Sequence, residues 1–139
     1  MEARAVDAFD VAVRALGAAD RTAAELDARL ERKGVPAPDR EEALERLGRL
    51  GYLDDGRVAR NRAEQLAARG SGDALVRDDL GRRGVGADEI EAALAELEPE
   101  PERAARLVAE RGLNPKTARY LASRGFAGET IAALVARDD

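Results

Sequence analysis

The chain has 139 residues, a formal net charge of −5, and neither Cys nor His. That composition excludes disulfides, thiol nucleophiles, imidazole general bases and the usual zinc sites. Charged residues make up 37% and aromatics only 3%. The apolar part is mainly Ala, Leu and Val, which suits helices lying side by side better than one thick core.

Apolar residues recur at helical spacing from end to end, and the periodicity predicts nine helices. In the first, Phe9, Ala12, Val13 and Leu16 share a face. Leu26 and Leu30 mark the second, and Ala43, Leu44 and Leu47 the third. Ala59, Ala63, Leu66 and Ala67 follow, then Leu75, Val76 and Leu80, then Ile90, Ala93, Leu94 and Leu97. The last three are marked by Ala104, Leu107 and Val108; by Ala118, Leu121 and Ala122; and by Ile131, Leu134 and Val135. No segment alternates long enough to predict a strand. None approaches the ~20 apolar residues that span a bilayer, so the expected location is the cytoplasm.

The breaks have chemical reasons. Thr22 with Glu25 fits a capping box, and Asp39 with Glu42 repeats the pattern. Asp54 or Asp55 can cap the fourth helix, and Asn114-Pro115 pairs an N-cap with a tolerated first-turn proline. Gly34, Gly84 and Gly125 suit the left-handed residue that ends a helix.

Those glycines expose a repeat. Leu30-x-x-Lys33-Gly34-Val35 aligns with Leu80-x-x-Arg83-Gly84-Val85 and with Leu121-x-x-Arg124-Gly125-Phe126. The expected architecture is all-α, with three tandem three-helix units over residues 1–53, 54–98 and 99–139. Their net charges are −2, −4 and +1, so the last unit is the best placed to approach a polyanion.

Glu25-Leu26-x-x-x-Leu30-x-x-Lys33-Gly34, then Gly51-Tyr52-Leu53-Asp54-Asp55-x-Arg57-x-Ala59, Gly70-x-Gly72, Leu80 with Arg83-Gly84-Val85, and Leu121-x-x-Arg124-Gly125-Phe126 occur in order. Together they resemble the RecX family over nearly the whole chain. The resemblance implies an elongated, curved array of three units. It also implies binding to the RecA recombinase filament on single-stranded DNA, with suppression of its growth, ATP turnover and strand exchange, in recombination, DNA repair and the SOS response. The protein is expected to act as a monomer. Val58 replaces a common Phe of the family, and Arg40 stands where Ile90 and Ile131 are apolar. The acidic balance argues against a stand-alone DNA-binding protein with helix-turn-helix-like units, which is the alternative reading; weak direct DNA contact remains compatible with it.

No motif points to catalysis. Asp54-Asp55 is too poor in oxygen ligands for a metal and reads as a cap. Gly84-x-Gly86 lacks the strand and Lys-Ser/Thr of a nucleotide loop, and Ser71 and Ser123 lack a base. No catalytic residue, metal site or cofactor is expected. Tyr52 reads as a packing residue, Asp78-Asp79 as a solvated pair, and Tyr120 and Phe126 as core. The candidate partner-binding residues are Lys116, Arg119, Arg124, Arg111, Lys33 and Arg83. Lys33, Arg83 and Arg124 each precede a turn glycine, where a cation also offsets free helix carbonyls.

Overall fold

The computed structural model describes residues 2–138, with side chains described for 8–136. Among the described residues there are nine helices and no strand. They are α1 (Glu2–Ala18), α2 (Ala23–Arg32), α3 (Ala37–Arg49), α4 (Asp55–Ala68), α5 (Asp73–Arg82), α6 (Ala87–Ala95), α7 (Glu100–Arg111), α8 (Pro115–Ser123) and α9 (Gly128–Asp138).

The helices pack in consecutive trios, each around its own apolar cluster. Ala12, Ala15, Leu26, Leu30 and Leu47 form the first cluster. Ala59, Ala63, Leu66, Val76, Leu80, Ile90 and Leu94 are central to the second. Ala104, Leu121 and Phe126 form the third, with Leu107, Tyr120 and Ile131 partly buried against it. Three thin cores leave much surface outside. The accessible area is 8413 Å² for 14.9 kDa, against about 7,000 Å² for a compact monomer of that mass. That excess fits an extended array.

The repeated motif is a helix stop. Gly34, Gly84 and Gly125 have φ of 82°, 86° and 87°. In each case the following residue donates its N–H to the motif's leucine: Val35 to Leu30, Val85 to Leu80 and Phe126 to Leu121, all at 3.1 Å. The left-handed glycine thereby satisfies the last carbonyls and turns an apolar residue back toward the helix it ends.

Four readings change. Asp39 and Glu42 do not form a capping box, because α3 begins earlier: Pro36 is its N-cap and no side chain caps it. Pro38 near the start needs no N–H partner, so the helix tolerates the weaker cap. In α1 the buried face runs through Ala8, Ala12 and Ala15, while Val13 is 39% exposed. Small residues let α1 lie close against α2 and α3. Tyr52 is 57% exposed and not a packing residue. Asp79 is not simply solvated: Arg62 donates to it through Nε at 3.0 Å and Nη2 at 2.9 Å. Arg40, at the apolar seam position, is satisfied by Asp27 at 2.9 Å and the Val35 carbonyl at 2.8 Å.

Leu30 and Leu80 are fully buried at the helix stops. Leu30→Ala and Leu80→Ala are each expected to cost about 2–5 kcal/mol. Chemical denaturation that showed no loss for either would place the cores elsewhere.

Candidate functional site

The second helix of each trio meets the second helix of the next, end to end. At the first joint, the C-terminal end of α5 seats against the N-terminus of α2. Thr22, the N-cap of α2, donates its hydroxyl to the Arg83 carbonyl. At the second joint, the end of α8 seats against the start of α5. There the Gly72 N–H donates to the Arg124 carbonyl at 2.7 Å, and the Ala74 N–H to the Gly125 carbonyl at 3.2 Å. The open carbonyls of a helix end are thus met by the cap hydroxyl of the adjoining helix at the first joint and by its free backbone N–H groups at the second.

A carboxylate from the following trio completes each joint. Asp55 accepts from the Ala23 N–H at 2.8 Å, and Glu100 from the Asp73 N–H at 3.0 Å. Asp55 and Glu100 each stand at the first position of their own helix. Arg103 crosses the second joint as well, donating to Asp73 at 2.9 Å and to the Ser71 carbonyl at 3.0 Å. Thr22 and Ser71 are fully buried.

Two candidate residues are engaged inside the molecule. Arg83 donates to both Glu25 oxygens at 3.2 Å. Arg124 donates to the Arg69 carbonyl at 3.3 Å and the Ser71 hydroxyl at 3.2 Å. Both guanidiniums therefore reach across a joint rather than along their own helix. Burial works to raise the Glu25 pKa, but the Thr22 N–H and the Arg83 guanidinium outweigh it and hold the carboxyl below its ordinary value.

The other four face outward. Lys33 is exposed at the end of α2. Lys116 and Arg119 are exposed on α8, three residues apart and so near one face. Arg111 is exposed and lies over the Tyr120 ring, 3.6 Å from its centroid. Tyr120 is thus half-buried, packed against the third cluster with Arg111 covering its ring. Arg111 and Tyr120 border a groove of about 330 Å³ between the second and third trios, along with Arg69, Arg103 and Arg106. Among the described residues no group of carboxylates could hold a metal ion, and no helix is long and apolar enough to cross a membrane.

The joints explain Gly72, which the sequence showed only as a motif member, and give Gly84 and Gly125 a second reason beside their left-handed turns. A Cβ on Gly72 would fall 2.5 Å from the Gly125 backbone, and one on Gly125 would fall 2.6 Å from the Leu75 nitrogen. A Cβ on Gly84 would collide with Ala24. Of the pair read as a cap, Asp54 caps α4 by accepting from the Arg57 N–H, while the bond of Asp55 across the joint, and the roles of Glu100 and Arg103, were missed. The place that Asp55 and Glu100 share at a first helix position was the available signal.

The pattern described as "RecX, first three-helix domain" matches residues 8–47. A regulatory protein RecX of Trichlorobacter lovleyi is 33% identical, with 92% of this chain and 93% of that protein covered. The chain belongs to the RecX family. A RecX of Deinococcus radiodurans is 40% identical over 130 residues, covering 86% of this chain. The chain spans 62% of that relative's length. The crystal structure of RecX from Lactobacillus salivarius shares the fold at a TM-score of 0.85 and 17% identity, covering 99% of this chain and 97% of that one. The family is one of regulatory proteins, and this chain has its fold.

Glu25 supplies a pH test of the first joint. Its folded pKa lies below the ordinary 4.5, so its contribution is complete above that value and is lost as pH falls through the folded pKa. Glu25→Gln is expected to be less stable than wild type at pH 7, with the gap closing toward pH 3. A gap independent of pH would show that the ionised pair does not support the joint.

Proposed function

We propose that this chain regulates a RecA recombinase by binding its filament on single-stranded DNA, restraining filament growth, ATP hydrolysis and strand exchange without covalent chemistry of its own. The observation that carries this reading is family membership: similarity to named regulatory relatives runs over most of the chain. The protein acts in the cytoplasm, as a monomer, in recombination and DNA repair.

The three trios, with divisions after residues 53 and 98, act as three contact modules on one rod. Multivalent contact lets weak single-module binding add up. Lys116, Arg119 and Arg111 form the anion-facing part of the third module. Lys116 sits at the second position of α8, where the helix dipole disfavours a cation by roughly 0.3–1 kcal/mol. A cation there is better accounted for by an anionic partner than by the stability of α8. Weak direct contact with DNA would use the same face. The net charge of −5 opposes a stand-alone DNA-binding role, and a gel shift on duplex DNA without recombinase separates the two.

Titration into RecA filaments on single-stranded DNA is expected to inhibit ATP turnover at substoichiometric ratios. Unchanged turnover and strand exchange at large molar excess would refute the proposal. Lys116→Glu with Arg119→Glu is expected to weaken inhibition without changing helicity or melting. Salt is expected to weaken the wild type more than this double variant. Equal inhibition by both proteins at every salt concentration would put the contact face elsewhere.

A further inference from the structure

Each joint has a receiving half, the start of α2 or α5, and a seated half, the end of α5 or α8. The end of α2 is built like the seated halves. The first trio aligns with the second at an offset of 50 residues: Thr22 on Gly72, Leu30 on Leu80, Lys33 on Arg83 and Gly34 on Gly84. Lys33 is the C-cap, and Gly34 has a φ of 82°. A Cβ on Gly34 would meet nothing within 4 Å, unlike one on Gly84 or Gly125.

The surroundings are shared too. Asn61, Gln65, Arg83 and Asp20 border the groove at the first joint. The aligned positions Val11, Ala15 and Lys33 border a groove of about 210 Å³, together with Ala18, Arg14 and Arg29. Its floor is apolar and its rim carries three cations. None of these three belongs to an ion pair among the described residues. The Arg29 Nε is buried and has no hydrogen-bond partner.

We infer that the end of α2 is an open half-joint that seats the start of a helix from a partner protein. That helix carries a hydroxyl or amide donor at its N-cap, a small residue at its second position and a carboxylate at its third. The last carbonyls of α2 hold partial negative charge and call for N–H or O–H donors, so a phosphate alone fits poorly on the axis. The cationic rim calls for a carboxylate. A capped helix start supplies both, and Thr22-Ala23-Ala24-Glu25 already does so for Arg83. The second helices of a further copy of this chain do not fit. The starts of α2 and α5 are occupied, and that of α8 has Pro115, without an N–H, followed by Lys116 where α2 and α5 carry Ala24 and Ala74.

The test uses the full chain and a synthetic peptide of residues 20–32, which carries the start of α2. Amide resonances of Lys33, Gly34 and Val35 are expected to shift saturably as the peptide is added. A control peptide with Thr22→Val and Glu25→Lys is expected to bind about tenfold more weakly or not at all. In the chain, Lys33→Glu and Gly34→Asn are expected to weaken binding about tenfold with unchanged melting, since Asn tolerates positive φ. Lys33→Arg, which copies Arg83, is expected to bind at least as well as wild type. No saturable shift at these amides, or equal binding of both peptides, would overturn the half-joint. That the natural helix belongs to the recombinase filament rests on the reading above. A wild type that binds the peptide and ignores the filament would refute that reading alone.

Discussion

The end-to-end joint between second helices is the constraint on which the rest of the structure depends. Each trio buries only a thin cluster of its own, and the long-range order of the array comes from helix ends. Carbonyls left open by one helix end are met by donors at the start of another, the Thr22 hydroxyl at the first joint and the Gly72 and Ala74 N–H groups at the second, so two unfavourable ends satisfy each other. The approach is close enough to demand glycine: a Cβ on Gly72 would stand 2.5 Å from the Gly125 backbone. Glycine here serves proximity as much as its left-handed turn.

The joints also give the array a direction. From α8 through α5 to α2, successive helices run N-terminus to C-terminus, so their dipoles point the same way. The two free ends then differ chemically. The start of α8 is finished off: Asn114 caps it by accepting from the Thr117 N–H at 2.9 Å, and Pro115 removes a donor that would otherwise need a partner. The end of α2 keeps an open glycine, an exposed Lys33 and a cationic groove. In a repeat array, terminal units differ from internal ones because one of their faces has no neighbour.

Much of this was legible in the sequence, and for identifiable reasons. Helices are encoded by local period, and the stops after Leu30, Leu80 and Leu121 by one glycine motif, so both could be read directly. Thr22 could be read as a cap because Glu25 stands three positions on. Its second bond, to the Arg83 carbonyl, joins residues 61 apart and depends on how trios stack. The same gap hid the roles of Arg83 and Arg124, whose charge was visible but whose partners were not. Val13 misled because an apolar residue at helical spacing does not specify which flank of the face is covered, and Tyr52 because it lies in the turn between α3 and α4, where no helical face dictates burial. Asp39 misled because a proline start can displace a well-formed capping box.

Amide hydrogen exchange at Gly72 and Ala74 tests the joint most directly. Their N–H groups donate to Arg124 and Gly125 and belong to no hydrogen bond within α5. In Gly72→Ala the added Cβ cannot share the space of the Gly125 backbone. The account predicts that the amides of residues 72 and 74 lose protection, while those of Ala104 and Leu121 in the third core keep it. Gly86→Ala, whose Cβ meets nothing within 4 Å, is the control and is expected to leave both sets unchanged. Full protection at residues 72 and 74 in Gly72→Ala would contradict the claim that these helix ends hold the array together.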